Sequence, residues 1–144
     1  SGPLQRTAKR AAKDLPITFT GRLERTEVQK RMREAHAVAL TSFGFVNQPV
    51  TIVEAIHARR PVLLCDWRLT EGLRKSGLYA DGPEPDAFAQ LPVQTQRNPE
   101  PLLAASRSTP ENSLEFEPST HVAKLRTTYR LAQDRINETT KQVH

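Results

Sequence analysis

Cysteine is nearly absent. Cys65 stands alone in 144 residues, so no disulfide framework holds the chain together. Glycine is scarce as well, with 6 residues, which excludes a collagen-like repeat. No apolar run approaches the ~18 residues of a membrane span, and no signal peptide opens the sequence. A single cysteine without an export signal sets the expectation of a cytoplasmic, reducing environment. Internal repeats and low-complexity stretches are missing too.

What is present fits one domain with one core. Hydrophobic residues make up 37%, and clear apolar runs argue against full disorder. The net charge is +5, and its distribution is uneven. Residues 1–72 carry 12 basic and 7 acidic side chains, whereas 73–144 carry 9 of each. The surplus therefore lies in the first half. It is compatible with an anionic ligand, an acidic surface or nucleic acid, and selects none of them.

Residues 1–15 read as a basic lead-in helix or tail carrying Arg6, Lys9, Arg10 and Lys13, with Ser1-Gly2-Pro3 resembling a vector-derived remnant. Pro16 to Gly21 is short, β-branched and bounded by Pro and Gly, and predicts a strand. Thr26-Glu27-Val28-Gln29 fits a capping box, and Val28, Met32 and Ala35 recur at helical spacing. Glu27/Arg31 and Lys30/Glu34 form i,i+4 pairs on the wet side of that helix. Ala37 to Thr41 predicts a strand buried on both faces. Ser42 to Gln48 is a loop, after which Asn47 or Gln48 caps a helix with Pro49 in its first turn. Ile52, Val53 and Ile56 continue its apolar stripe, and Arg59-Arg60 close it at the negative dipole end. Pro61 to Cys65 predicts a third buried strand.

Beyond it, Glu71 to Lys75 reads as a short helix ended by Gly77, and Asp81-Gly82-Pro83 as a turn. One or two helical turns are expected over 86–91. Three prolines make 92–101 irregular. Residues 102–107 read as helix and 108–118 as loop. Ser119 then caps a long final helix over 119–144. Its seam is Val122, Leu125, Tyr129, Ala132 and Ile136, at alternating spacings of three and four.

The alternation of strand and helix over 16–118 predicts an α/β fold, a Rossmann-like parallel sheet with flanking helices. Ligands of such sheets sit beyond the carboxyl ends of the strands. The loops 21–26, 41–49 and 66–70 are therefore the ones to inspect. The loop before Val50 delivers the chain to a helix N-terminus, where the amides of Val50, Thr51 and Ile52 suit a phosphate or diphosphate. Every βα loop does this, and most bind nothing. Glu54 falls roughly 140° from the apolar stripe at ~100° per residue. Its carboxylate faces either a ligand cleft, accepting hydrogen bonds from vicinal hydroxyls, or solvent.

Phe19-Thr20-Gly21, Glu27-Val28, Ala35-His36-Ala37, Thr41-Ser42, Val53-Glu54-Ala55, Arg60-Pro61-Val62 and Asp66 together, in order and spacing, resemble the carboxyl-terminal domain of retaining GT-B glycosyltransferases of the large family 4 type. The resemblance covers about residues 10–135, and Phe116-Glu117-Pro118 leading to Leu125 and Tyr129 looks like that family's last helix. It implies the carboxyl-terminal half of a GT-B fold binding a nucleotide-sugar donor. Glu54 matches the second glutamate of the family's Glu-x7-Glu, which holds the ribose hydroxyls. Val50 and Thr51 match the turn that binds the diphosphate. Arg22 and Leu23 match the segment against the nucleotide base, and Asp66 with the loop that follows matches the wall of the donor cleft. Retention of anomeric configuration is implied, with no metal and no other cofactor. The four histidines, at 36, 57, 121 and 144, are scattered.

Several positions depart from the family pattern. Val46 stands where the first motif glutamate would contact the sugar, and Asn47 or Gln48 is the candidate to replace it through an amide. Pro49 replaces a glycine at the helix start. Arg59-Arg60 replaces a small residue and glycine, and Trp67-Arg68 replaces a glycine pair, with Arg68 a candidate cation for the phosphates. The family's first donor-domain strand and its amino-terminal acceptor domain have no counterpart here. The expectation is thus a piece of a larger enzyme, inactive alone, with an open sheet edge through which copies could associate. The alternative is a non-catalytic, degenerate module for binding or assembly. Cys65 reads as a small core residue. The basic cluster at 6–13 lacks interleaved aromatics and reads as a solvated helix face, so no nucleic-acid partner is expected. Ser42 lies in no Gly-x-Ser-x-Gly elbow.

Overall fold

Val62, Leu63 and Leu64 form the central strand of a small parallel sheet, and all three are buried. The computed structural model describes residues 2–42, 50–66, 68 and 73–142. Its helices are α1 (Gln5–Ala11), α2 (Arg25–Glu34), α3 (Val50–His57), α4 (Pro85–Arg97), α5 (Glu100–Ser113) and α6 (Pro118–Gln142). The strands are β1 (Val38–Leu40), β2 (Val62–Leu64) and β3 (Gly77–Tyr79). Two 3-10 turns, Arg74–Ser76 and Leu114–Phe116, precede β3 and α6. The sheet order is β1-β2-β3, with Val38 opposite Val62 and Val62 opposite Gly77. The α/β class, the parallel sheet and the long closing helix are thus present.

The core lies on one face of β2. Ile52, Ala55 and Ile56 of α3 pack with Val62, Leu64 and Leu73, and Val38, Leu40, Tyr79 and Phe116 close around them. This is the alternation expected of a strand: Val62 and Leu64 turn to α3, and Leu63 turns to the other face, where it shares a cavity with Thr95 and Gln96 of α4. A Cβ at Gly77 would lie 2.9 Å from Tyr79 Oη and 3.2 Å from Leu64 Cδ1, so a larger residue there would press the end of the Tyr79 side chain aside.

A polar lattice joins α5 to the turn before β3. Asn112 donates to the Leu73 carbonyl and to Ser76 Oγ, and Ser76 lies 2.7 Å from Ser108 Oγ. Ser108 already donates its proton to the Ala105 carbonyl at 2.8 Å. The Ser76 hydroxyl must therefore donate to Ser108.

The structure departs from expectation in several places. Residues 16–21 form no strand. Ile17 and Phe19 are 53% and 43% exposed, and without a neighbouring ladder an isolated β-branched run stays extended coil. β1 is consequently an edge strand with Ala39 exposed, not a strand buried on both faces. α2 begins one residue before Thr26, with Glu24 at the N-cap and no side-chain cap, so the capping box does not form. The Glu27–Arg31 pair does form, at 3.0 Å. The third strand in chain order is 77–79, and Gly77 starts it while also ending the 3-10 turn Arg74–Ser76.

Both proline-rich stretches are mostly helical, with a break at Asn98 and Pro99 between α4 and α5. Pro92 lies inside α4 and Pro110 inside α5. Pro110 cannot donate to the Ser106 carbonyl four residues back, and the Thr109 hydroxyl donates to it instead, at 2.8 Å. Helix α3 ends in a Schellman turn. The Arg60 amide donates to the Ala55 carbonyl and the Arg59 amide to that of Ile56, with Arg59 at φ 59° where glycine is usual. The proposed Asn47 or Gln48 cap, Pro49 in the first turn, Val46 and the start of the 71–75 helix fall outside the described residues.

Candidate functional site: the cleft between α2 and α3

Helix α3 has two working faces. Ile52, Ala55 and Ile56 meet the core, while Val50, Val53, Glu54, His57 and Ala58 line a cleft of about 440 Å³. The opposite wall is α2, through Arg25, Gln29 and Arg33. Each set follows from helical geometry: every fourth residue on α2, and spacings of three and four on α3, fall on one side. Val53, assigned by sequence to the apolar stripe, belongs to the cleft, and Ala55 takes its place in the core.

Glu54 is the acidic residue among those lining the cleft. Its side chain is 24% exposed, and Oε1 lies 3.8 Å from Arg25 Nε. Arg25 is 79% exposed, so solvent screens the pair and its worth is at most a few tenths of a kcal/mol. Behind the cleft, the Arg60 guanidinium donates to the Arg33 carbonyl and holds the last turn of α2. His57 faces Phe116 in a tilted ring contact, with centroids 6.4 Å apart.

Topology fixes which end of the cleft meets the sheet's carboxyl edge. α3 follows β1, so Val50 starts at that edge. α2 precedes β1, and in a layer of this kind a helix runs antiparallel to the strand it feeds, which brings Arg25 to the same edge. Arg22 (exposed) and Leu23 (half-buried) lie just ahead of it. An α-helix leaves its first amides without intrahelical acceptors, so the first turn of α3 carries donors and the positive dipole end.

Asp66 and Arg68 follow β2 at that edge and pair with each other. Asp66 is 2% exposed. Its Oδ1 accepts from the Arg68 amide at 3.0 Å and from Nε at 2.9 Å, and Oδ2 accepts from the guanidinium at 2.8 Å. The hydrogen bond to Asp66, reinforced by its charge, raises the Arg68 pKa. Arg68 is thus a fork closed on its neighbour's carboxylate. Nearby, Cys65 Sγ donates weakly to the Ser42 carbonyl at 3.4 Å, linking the ends of β2 and β1.

Of the residues singled out by sequence, the structure puts Glu54 and Val50 in the cleft wall. Thr51 is half-buried in the first turn and, like Arg22, Leu23, Asp66 and Arg68, is not among the lining residues. Asn47 and Gln48 lie outside the described residues. Sequence reading missed Arg25, Gln29, Arg33 and His57 as wall residues, although the i,i+4,i+8 spacing of the first three was available. A second cavity, about 550 Å³, lies on the other face beside His36, Leu63, Thr95 and Leu102, and holds none of the singled-out residues. Among the described residues, no group of three His, Cys, Asp or Glu side chains is placed to hold a metal ion, and no helix is long and apolar enough to cross a membrane. No family model matches the chain, and no curated protein matches it.

Proposed function

We propose that the α2–α3 cleft binds the nucleotide-sugar donor of a retaining glycosyltransferase of GT-B type, and that the chain is the donor-binding part of such an enzyme. One observation carries the reading. Glu54 sits on the cleft face of α3, turned from the core, one turn inside a helix start at the carboxyl edge of a parallel sheet. That is the relation needed for a carboxylate to accept hydrogen bonds from ribose hydroxyls while amides at the helix start meet the diphosphate. Arg25 is exposed and long enough to leave Glu54 for a phosphate oxygen when a donor arrives. In this reading the protein's contribution is electrostatic: fixed amide dipoles favour the departing nucleoside diphosphate. The acceptor is supplied by another domain.

Val46, at the position matching the glutamate that contacts the sugar, favours a second reading in which the cleft binds nucleotide but transfers nothing. Calorimetric titration of the chain with UDP, GDP and ADP, and with the corresponding hexose conjugates, tests the shared premise. At least one nucleotide should bind, and Glu54→Gln should weaken it by about 1–3 kcal/mol, the scale of a lost charged hydrogen bond. No binding by any of them, or an unchanged affinity in Glu54→Gln, would overturn the assignment. Sugar transfer by a complex that includes the acceptor domain separates the enzyme from the binding module.

A further inference from the structure

From His121 to Ile136 the closing helix α6 is exposed on every side, including Val122 at 45%, Leu125 at 42%, Tyr129 at 67% and Ile136 at 65%. The helix is anchored at its base, where the 3-10 turn carries Phe116 into the core. Beyond that point little tertiary packing supports it, and packing of an amphipathic face is what gives most protein helices their stability. Thr127 and Thr128, whose hydroxyls fold back onto the Ala123 and Lys124 carbonyls, lower its intrinsic stability further.

Most of the exposed apolar residues of α6 fall on one line, while Leu131, 60% exposed, lies away from it on the far side. Val122, Leu125, Tyr129, Ala132 and Ile136 repeat at three and four, which is a period of 3.5 and a narrow seam about 21 Å long. Narrowness matters. A planar lipid surface takes a wide apolar face, whereas a seam of this period fits one facing helix. Charge then selects among helices. At ~100° per residue, Arg126 flanks the seam on one side and Arg135 on the other, Arg130 and Lys124 lie farther round, and Asp134 falls at the back. A second copy of α6 would bring these cations against one another. An acidic helix would not.

The geometry points to α6 as a docking helix for a partner that presents an amphipathic helix with an apolar seam and Asp or Glu along both flanks. The two helices pair as a short coiled coil. The apolar contacts give the register, and the flanking charges choose the partner. This surface lies apart from the α2–α3 cleft, and the inference stands whether or not the cleft binds a nucleotide.

The test uses the full chain and two synthetic three-heptad peptides, both with Leu at the seam positions. One has Glu at the flanking positions and the other Lys. Fluorescence anisotropy should show the Glu peptide binding at least about tenfold tighter than the Lys peptide. That binding should weaken steeply between about 0.05 and 0.5 M salt. Leu125→Ser and Arg126→Glu should each reduce it about tenfold or more, with the far-ultraviolet spectrum of the free chain retained. Equal binding of the two peptides, or none, would overturn the proposal. So would self-association abolished by Leu125→Ser, or binding to phosphatidylserine vesicles without binding to the Glu peptide.

Discussion

The side-chain nitrogen of Asn112 donates to Ser76 Oγ at 2.7 Å, across 36 residues of sequence. The same nitrogen donates its other proton to the Leu73 carbonyl. One buried amide thereby ties α5 to the turn that delivers β3, and the proton order continues through Ser76 and Ser108 to the Ala105 carbonyl. Asn112 is 1% exposed, so water cannot stand in for it easily. Replacing Asn112 by Leu, of the same branched shape though larger, leaves the Leu73 carbonyl without this donor inside the protein. The expected loss is about 2–4 kcal/mol in urea denaturation. A loss below about 0.5 kcal/mol would mean that the lattice contributes nothing net.

Arg59 adopts the left-handed conformation at the end of α3, at φ 59°. A residue with a Cβ pays roughly 1 kcal/mol there, and glycine does not. Part of that gain is offset, because Arg59 also places positive charge near the negative end of α3. Arg59→Gly should therefore raise stability by about 0.5 kcal/mol, while Arg59→Val should lower it by about 1 kcal/mol or more. Thermal denaturation of the two variants checks the order. Val equal to or above Gly would contradict it.

Tyr79 ends β3 against the core, and burial raises its pKa above 10.0. The folded state thus holds the phenolic proton more tightly than the unfolded chain does. The stabilisation is complete below pH 10 and is lost as pH rises through the folded-state value. Tyr79→Phe removes the titrating group, so its stability should fall less steeply than that of the parent above about pH 10. Parallel slopes for the two proteins would show that Tyr79 ionises equally in both states.

The parts of the fold that were readable from sequence share one property: each is decided by its own burial pattern. Val62 to Leu64 is an unbroken apolar run and became the buried central strand. Val50 to His57 carries a helical stripe and became α3. Misreadings fall where the partner a group finds, next door or far along the chain, settles the outcome. Residues 108–118 read as loop, but α5 runs on to Ser113, and the Thr109 hydroxyl serves the Ser106 carbonyl that Pro110 leaves without an amide donor. Pro16 to Gly21 has strand composition and no ladder to join. Gly77 to Tyr79 is only three residues and was hidden by its glycine, whose small size suits the approach of Tyr79 and Leu64.

The cleft was half legible for the same reason. Angular spacing sufficed to turn Glu54 from the core, since that depends on α3 alone. Its companions Arg25, Gln29 and Arg33 sit on another helix, and only the packed structure brings the two faces together. Arg68 was expected to offer a cation to phosphates. Its fork is instead closed on Asp66, two residues away, a pairing that the loop's path and not its composition determines.

Since a single rod of eight residues seats Ile56 in the interior and displays Glu54 outside it, interior repacking and ligand affinity are mechanically geared. A roll of α3 large enough to accept a bulkier side chain at Ala55 must swing the carboxylate through the same arc. Random mutagenesis of this helix should accordingly yield few variants that lose one property and keep the other.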